Sequence, residues 1–280
     1  MRACRPQQWL KNTVVLIAPA AAGAISRPGA GLALVGAFVA FCLISSATYL
    51  INDVRDRAAD RRHPRKRLRP VAAGQLSPGA ALEAAVALAL AAVVAGVLVR
   101  SALALVVLGY GALTLSYTLW WRDIVLIDMF AVAGCFVLRA VAGGAAVDVS
   151  LSRPFLVVTS ACALFLVVGK RHAEFLGPGR STASRATLRR YSRRGLWILL
   201  AGSAILGVVA YADWSFTRPA LGPWLALSLI PFGLWLTRYA ALVNEGAGEA
   251  PEALVLRDHA LLALSLIWAV LFTAGIYGSR

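Results

Sequence analysis

The sequence predicts an all-α fold: a polytopic membrane protein built as a bundle of about nine transmembrane helices, in a single domain over residues 1–280. Composition is the first observation behind this class, because 60% of the residues are hydrophobic and the mean hydropathy is +0.73. A soluble domain averages about 45–50% apolar residues. The second observation is that the apolar residues form runs long enough to cross a bilayer, which takes about 20 residues. No strand-like alternation interrupts these runs.

Nine apolar runs predict the spanning helices in chain order. They cover residues 13–25, 30–51, 79–99, 101–120, 124–147, 154–169, 195–212, 221–237 and 259–277. The turns between them carry helix-breaking residues, as in Ser77-Pro78-Gly79, where Ser can cap the next helix and Pro suits its first position. Lys11 and Asn12 stand at the start of the first, short run, which argues against a cleaved signal peptide.

The 28 basic residues outnumber the 13 acidic ones by 15 and are distributed unevenly between the two sides of the predicted bundle. With nine spans, 22 of them fall on the side of the N-terminus and five on the other, while Arg139 lies within a span. The positive-inside rule therefore predicts a cytoplasmic N-terminus and cytoplasmic loops near residues 52–78 and 170–194. The excess suits anionic partners such as lipid head groups, nucleic acid or phosphorylated substrates.

Three carboxylates in the first cytoplasmic loop are spaced like ligands of a metal ion. Asp53, Asp56 and Asp60 follow an i, i+3, i+7 pattern, which places them within about 60° of one face of a continuous helix. Like charges on one face cost energy unless a cation lies among them, and Mg²⁺ completed by phosphates and water suits such oxygen ligands. The alternative is a solvated juxtamembrane helix whose acids pair with neighbouring arginines. Those arginines are Arg55, Arg57 and Arg61.

A dense basic run follows the carboxylates. His63-Pro64 ends the predicted helix, and the run Arg65-Lys66-Arg67-Leu68-Arg69-Pro70 offers donors for the oxygens of a diphosphate. The alternative is an anchor on anionic lipid. An anchor has no use for the adjacent carboxylates, so the two features together favour a binding site. Only three of the 28 basic residues are lysines, and all three lie on the predicted cytoplasmic side: Lys11, Lys66 and Lys170.

The pattern Asn52-Asp-x-x-Asp-x-x-x-Asp60 resembles the first aspartate-rich motif of the UbiA superfamily of intramembrane prenyltransferases. More narrowly, several segments together resemble the actinobacterial decaprenyl-phosphate phosphoribosyltransferases, and the resemblance runs nearly end to end. These segments are Arg5-Pro-Gln-Gln-Trp-Leu-Lys-Asn12, Asn52 through Gly74, Tyr117 to Asp128, Phe136 to Gly144, Gly169-Lys-Arg-His-Ala-Glu174, and Gly248 through Asp258.

Two segments depart from the wider superfamily. Aromatic prenyltransferases of that fold carry a second aspartate-rich motif after the sixth span, where this sequence has Lys170-Arg-His-Ala-Glu174. One acidic and one basic motif suit a substrate that carries a diphosphate and a separate phosphate. In the segment that begins at Tyr117, Arg122 stands where the family usually has lysine.

The resemblance implies a Mg²⁺-dependent pentosyltransferase. It would transfer the 5-phosphoribosyl group from phosphoribosyl pyrophosphate to decaprenyl phosphate, release pyrophosphate, and serve arabinan cell-wall precursor synthesis. The acceptor is already an anion and needs no strong general base, which agrees with the isolated histidines His63, His172 and His259. The implied location is the plasma membrane, with the active site at the cytoplasmic face. The implied partners are the two substrates and membrane lipid, without nucleic acid, and a homo-oligomer such as a trimer.

The resemblance also implies roles for individual residues. Asp53 and Asp56 hold Mg²⁺ with support from Asn52, and Asp60 is either a ligand through water or a ribose contact. The catalytic set is Asp53, Asp56, Asp60 and Lys66. Lys66, Arg67 and Arg69 hold the diphosphate. Lys170 and Arg171 hold the 5-phosphate, oriented by Glu174. Lys11 with Gln8 and Asn12 faces the acceptor phosphate or the donor. Tyr117 and Asp128 are further substrate contacts, although Asp128 could instead pair with a nearby basic residue.

Two other functions remain open at this point. One is a UbiA-type aromatic prenyltransferase that uses a polyprenyl diphosphate. A second aspartate pair near residues 170–180 would favour this function, and the sequence has none there. The other is an anion transporter, which broken helices near the midplane or internal repeats would favour.

Arg139 lies deep in a span, where a charge is costly. Both pairing with a neighbouring helix and contact with the lipid phosphate are compatible with its position.

Overall fold

The computed structural model describes residues 2–176, 190–217, 223–248 and 250–278, and within these ranges it is helical without any strand. The α-helices are α1 (Ile17–Ala21), α2 (Ala30–Arg55), α3 (Arg57–Arg62), α4 (Pro78–Val99), α5 (Ser101–Ser116), α6 (Ile127–Ala146), α7 (Arg153–Leu176), α8 (Arg193–Phe216), α9 (Pro223–Leu227), α10 (Leu229–Asn244), α11 (Pro251–Arg257) and α12 (His259–Tyr277). Three 3₁₀ segments cover Arg2–Cys4, Pro6–Leu16 and Lys66–Leu68, and a π-helical turn covers Tyr117–Trp121. The all-α prediction is confirmed.

Eight stretches of the described residues are long and apolar enough to cross a membrane. They are Ala30–Arg55, Pro78–Val99, Ser101–Trp121, Ile127–Ala146, Arg153–Leu176, Arg193–Phe216, Pro223–Asn244 and His259–Tyr277. They correspond to the second through ninth predicted spans, so the expected count of about nine is close to the observed one.

The first predicted span, 13–25, is not one continuous α-helix. The chain there runs through the 3₁₀ segment Pro6–Leu16 and the short α1, and Gly23, with a φ of 61°, lies in the turn that follows. A 3₁₀ helix rises about 2.0 Å per residue, so these 11 residues extend over about 22 Å. Hydropathy responds to apolar content and does not distinguish the two helix types, which explains the difference.

Helix α7 extends seven residues beyond its predicted end at residue 169. The prediction ended the span at the first charged residue, but Lys, Arg and Glu are good helix formers, and the first helix breakers in the sequence are Gly177 and Pro178. Lys170, Arg171 and Glu174 therefore lie on the last turns of a helix and not in a loop. The rest of the predicted second basic loop, 177–189, lies outside the described residues.

The chain divides into two compact units, which are described separately. The first comprises Met1–Leu119 and Leu138–Ser150. Helices α2 and α4 form its main contact through alanines and other small residues, including Ala47, Ala81 and Ala85. A Cβ atom added at Gly143 would lie 1.7 Å from the carbonyl oxygen of Val15, so the N-terminal segment and α6 pack backbone against backbone.

The second unit comprises Trp120–Val137 and Leu151–Arg280. Its core joins α7 and α8 with α10 around Phe165, Leu200 and Tyr239, all fully buried. Large apolar side chains also remain exposed on the spanning helices of both units, which is expected for surfaces that face lipid. The single-domain organisation and the cytoplasmic N-terminus remain predictions.

Candidate active site

Two buried carboxylates meet two arginines in the first unit. Asp53, in the last turn of α2, is 1% exposed, and Asp60 on α3 is 3% exposed. Arg5 donates to Oδ1 of Asp53. Nη1 of Arg69 lies 3.3 Å from the same oxygen and 2.6 Å from Oδ2 of Asp60. Arg69 thus joins the two carboxylates, and Arg5, Asp53, Asp60 and Arg69 are called the Asp53 cluster below.

The local backbone explains how Asp60 reaches Arg69. Helix α2 ends at Arg55, and Asp56 adopts φ −88° and ψ 3° before α3 begins. The end of α3 is followed by His63, whose Nδ1 accepts from the backbone N–H groups of Arg65 and Lys66 at 3.2 and 3.3 Å. This turn reverses the chain toward the carboxylates. Because the helix is interrupted at Asp56, the three acids do not lie on one continuous helix as the spacing predicted.

Two of the three arginines named in the alternative interpretation have other partners. Arg55 donates to the carbonyl oxygen of Leu119 at 3.3 Å, and Arg61 donates to that of Ala72 at 3.1 Å. The partners of Asp53 and Asp60 come instead from Arg5, before the first helix, and from Arg69 in the basic run. Asp53 and Asp60 are therefore buried in a tertiary contact and do not belong to a solvated face.

The free oxygen of Asp53 fits a divalent cation. Its Oδ2 is buried and has no hydrogen-bond partner, an arrangement that costs energy unless a cation or donor is supplied. Within the described ranges, no group of three or more His, Cys, Asp or Glu side chains is arranged to hold a metal ion. A bound cation would therefore need oxygens from a substrate or water to complete its ligands, as Mg²⁺ commonly does.

The other predicted residues of this unit lie in three places. Asn52 accepts a 2.6 Å hydrogen bond at Oδ1 from Thr118, which lies in the π-helical turn. Asp56, Lys66 and Tyr117 have half-buried side chains, and that of Arg67 is exposed. Gln8 and Lys11 are half-buried on the N-terminal 3₁₀ segment. Their substrate contacts remain predictions.

Asn12 lies inside the bundle, where it holds Arg139. Nε of Arg139 donates to Oδ1 of Asn12 at 2.8 Å, and Nη2 donates to the hydroxyl of Tyr110 at 2.8 Å. The guanidinium also lies over the Tyr110 ring, 4.8 Å from its centre. The Asn12 amide donates to Cys42 and Ser45. Arg139 is therefore paired with neighbouring elements of its unit, and a direct contact of the fully buried Asn12 with substrate remains a prediction.

A second buried cluster lies in the other unit. Asp128, the second residue of α6, is fully buried, and Arg171 on α7 is 3% exposed. Nε of Arg171 lies 3.1 Å from Oδ2 of Asp128, and Nη1 lies 2.8 Å from Oε2 of Glu174. The hydroxyl of Tyr191 donates to Oδ1 of Asp128. These four residues are called the Asp128 cluster. Asp128 thus has the alternative role considered for it, as partner of a nearby basic residue.

Tyr191 directly precedes the N-cap residue of α8, and its side chain stabilises this cluster. Its hydroxyl accepts from the backbone N–H of Leu126 at 3.0 Å. Leu126 has a φ of 70°, a left-handed conformation that is unfavourable for leucine and needs support from its surroundings. Burial, and then the hydrogen bond to Asp128, raises the pKa of Tyr191 above its ordinary value. The phenol therefore stays protonated and keeps donating.

Sequence reasoning did not select Arg5, Thr118 or Tyr191. Arg5 lies in one of the segments that carry the resemblance, and Tyr191 is the last residue before the cap of α8, so both stood close to identified features. Arg171 was expected to hold a phosphate with Lys170, and in the structure it lies between Asp128 and Glu174, with Lys170 half-buried beside it. Its phosphate contact remains a prediction.

Comparison with known sequences gives consistent matches. The model of the UbiA prenyltransferase family matches residues 13–267. A decaprenyl-phosphate phosphoribosyltransferase of Corynebacterium glutamicum is 41% identical over 286 residues, covering 99% of this chain and 86% of the relative. Proteins of the same name from Mycobacterium tuberculosis and Mycolicibacterium smegmatis are each 38% identical, covering 99% and 100% of this chain and 93% and 92% of the relatives.

Solved structures show the same fold at low sequence identity. A UbiA homolog from Archaeoglobus fulgidus bound to GPP and Mg²⁺ has a TM-score of 0.74 at 16% identity, covering 99% of this chain and 98% of the other. The same homolog bound to Cd²⁺ has a TM-score of 0.70 at 16% identity, covering 98% and 97%. These structures therefore show divalent metal binding within the fold. The family match over residues 13–267 and the near-complete alignment with relatives lead to one conclusion: this multi-pass membrane protein belongs to the UbiA prenyltransferase family.

Proposed function

We propose that this chain is a pentosyltransferase that transfers the 5-phosphoribosyl group from phosphoribosyl pyrophosphate to decaprenyl phosphate and releases pyrophosphate. The observation that carries the proposal is the alignment of 99% of the chain, at 41% identity, with a relative of that name. The reaction would supply a precursor for the arabinan of the cell wall. The site geometry agrees, because it offers carboxylates and guanidinium groups where a phosphorylated sugar needs both.

The bond changes explain why charge stabilisation is the main requirement. The bond between the anomeric carbon and the pyrophosphate oxygen breaks, and a bond from that carbon to an oxygen of the acceptor phosphate forms. Negative charge develops on the departing pyrophosphate while the sugar becomes positive in the transition state. Fixed cations close to the leaving group therefore lower the barrier. The acceptor oxygen is already ionised, so no residue has to remove a proton from it.

Mg²⁺ would be held by Asp53 and Asp56, with Asn52 in support, and would neutralise charge on the diphosphate. The unpartnered Oδ2 of Asp53 supports this assignment. Asp60 either contacts the metal through water or contacts the ribose. In the protein without substrate, Asp60 orients Arg69 at 2.6 Å.

The remaining cations would bind the phosphates of the donor. Lys66, Arg67 and Arg69 hold the diphosphate, since guanidinium groups match its paired oxygens. Lys170 and Arg171 hold the 5-phosphate. Arg171 suits this role because Asp128 and Glu174 already fix its direction. Gln8, Lys11, Asn12 and Tyr117 complete the proposed substrate contacts.

Solubility determines where the reaction takes place. A polyprenyl chain gains about 0.8 kcal/mol for each buried CH₂ group, so the acceptor stays in the bilayer while the charged sugar donor stays in water. We place the site at the cytoplasmic face of the plasma membrane, where the positive-inside rule puts both basic segments. The partners are the two substrates and membrane lipid, without nucleic acid, and the assembly is a homo-oligomer such as a trimer.

A turnover assay tests the function. Purified protein in detergent receives labelled phosphoribosyl pyrophosphate, decaprenyl phosphate and Mg²⁺, and labelled lipid is extracted. We expect product from the native protein and its loss by about 100-fold or more with Asp53→Asn combined with Asp56→Asn, or with a chelator. Asp148→Asn is the control, since Asp148 is 75% exposed.

Two results would contradict the proposal. One is the absence of labelled lipid with the native protein, and the other is full activity of the double variant. A parallel reaction supplies a prenyl diphosphate with an aromatic acceptor. Product in that reaction alone would favour the aromatic prenyltransferase.

A further inference from the structure

Arg5 covers the carboxylate that is proposed to bind the metal ion. Its guanidinium donates to Oδ1 of Asp53 and lies over the ring of Tyr49, 4.9 Å from the ring centre. The Arg5 side chain is 28% exposed, whereas that of Asp53 is 1% exposed. The guanidinium of Arg5 is therefore partly open to solvent, whereas the carboxylate that it contacts is not.

Arg5 and Arg69 both contact Asp53, but they are held differently. Arg69 also contacts Asp60, at 2.6 Å, so it keeps an acidic partner if it leaves Asp53. The guanidinium of Arg5 has Asp53 and the Tyr49 ring as its partners in the described structure. A guanidinium over an aromatic ring is attracted more weakly than one bound to a carboxylate. Arg5 is therefore the cation that a competitor for Asp53 can displace more easily.

The backbone at Arg5 is in an unfavourable conformation. Arg5 has φ 49° and ψ 63°, in the left-handed region, and it immediately precedes Pro6. Residues other than glycine seldom adopt this region, and a following proline disfavours helical values further. Such strain persists only where surrounding contacts hold it, and it concentrates at functional positions. The contact with Asp53 is one that holds Arg5 in place.

We propose that Arg5 is a ligand-exchange residue: it occupies Asp53 in the donor-free protein, leaves it when a divalent cation binds there, and then contacts the diphosphate. The unpartnered Oδ2 of Asp53 is where the cation enters, and its positive charge competes with the guanidinium for the same carboxylate. No covalent bond changes in this exchange. The inference rests on the proposed function, because the second contact requires a diphosphate donor.

A metal titration without substrate tests the first half of the exchange. Mn²⁺ binding to purified protein is followed by electron paramagnetic resonance for the native chain, Arg5→Ala, Arg5→Lys and Arg2→Ala. We expect Arg5→Ala to bind Mn²⁺ about 3- to 10-fold more tightly, because one competing and partly screened charge is removed. Arg2→Ala is the matched control, since Arg2 is an exposed arginine three residues earlier, and should leave the affinity unchanged.

Kinetics with phosphoribosyl pyrophosphate test the second half. Arg5→Ala should raise the KM for this donor by about 10-fold or more, the effect of losing one charged hydrogen bond. Arg5→Lys should recover part of that loss. Metal affinity and donor affinity therefore change in opposite directions, whereas a purely structural role for Arg5 would weaken both.

The outcomes separate this inference from the function itself. Equal or weaker Mn²⁺ binding by Arg5→Ala, or an unchanged KM, overturns the exchange while leaving the transferase activity intact. Absence of product from the native protein overturns the function, and the Mn²⁺ titration still decides the first half of the exchange. If Arg5→Ala does not fold, Arg5→Gln decides, because it also removes the charge while keeping much of the side chain: an affinity for Mn²⁺ no higher than that of the native chain contradicts the proposal.

Discussion

The buried charge of Arg171 gives a quantitative prediction for Asp128→Asn. Arg171 is 3% exposed, and in the described part of the chain it contacts the fully buried Asp128 and Glu174, whose side chain is 24% exposed. Asparagine has nearly the same shape as aspartate and can still accept from Tyr191. The substitution therefore removes one negative charge from beside Arg171 with little change in packing.

The magnitude follows from the burial of both partners. Removing one partner of a buried ion pair costs about 3–5 kcal/mol, because an uncompensated charge remains in a low-dielectric environment. Glu174 still contacts Arg171, so we expect the lower end, a loss of about 3 kcal/mol in the free energy of unfolding. At about 2–4 °C per kcal/mol, the midpoint of thermal unfolding should fall by about 6–12 °C. Arg171→Met in the same chain should recover at least about 1 kcal/mol, since the isolated charge is then absent.

Thermal unfolding in detergent, followed by tryptophan fluorescence, measures these changes. Asp148→Asn provides the matched control, because Asp148 contacts Arg100 at 3.1 Å with both side chains well exposed. An exposed pair contributes about 0.2–1 kcal/mol, so this control should unfold within about 4 °C of the native protein. The reasoning is refuted if Asp128→Asn is no less stable than the control, or if Arg171→Met combined with Asp128→Asn recovers nothing.

Two further predictions follow from a close backbone contact and a perturbed tyrosine. Gly143→Ala should reduce the free energy of unfolding by about 3 kcal/mol or more, because its Cβ would lie 1.7 Å from the carbonyl oxygen of Val15. In the same denaturation assay Gly202→Ala, which meets nothing within 4 Å, should lose no stability. The fold raises the pKa of Tyr191 above its ordinary value of 10.0. The protonated phenol therefore contributes its full stabilisation below pH 10, and this contribution is lost as the pH rises through the folded pKa. Above pH 10 the free energy of unfolding should therefore fall less steeply with pH in Tyr191→Phe than in the native protein. The two slopes should differ by about 1.4 kcal/mol per pH unit, and parallel slopes would contradict this assignment.

Local patterns in the sequence were sufficient to predict most of the fold. Eight of the nine predicted spans are helices, because apolar runs of about 20 residues have few other stable arrangements in a membrane. The first predicted span differs, since its 3₁₀ geometry leaves no trace in hydropathy. The end of α7 differs because charged residues with good helix propensity continue a helix past its apolar part.

The candidate site was predictable only where neighbouring residues form it. The Asp and Arg residues of the first basic segment lie within 17 positions of each other, and their meeting could be anticipated from charge alone. Arg5 contacts Asp53 across 48 positions, and Tyr191 contacts Asp128 across 63. Such pairs depend on how whole helices pack, which periodicity does not specify. An alignment of relatives with paired substitutions at these positions is the kind of signal that reveals them.

The charges of the Asp53 cluster cancel, since two guanidinium groups face two carboxylates. The donor-free protein can therefore keep four ionised groups together without a net charge. An unpaired ion in a poorly solvated position would instead cost several kcal/mol. A divalent cation alone would leave this cluster doubly positive, and a diphosphate alone would leave it strongly negative. Arrival of the two as one complex disturbs the balance least. Charge balance thus favours binding of the metal and the donor together, because a divalent cation offsets most of the charge of the diphosphate.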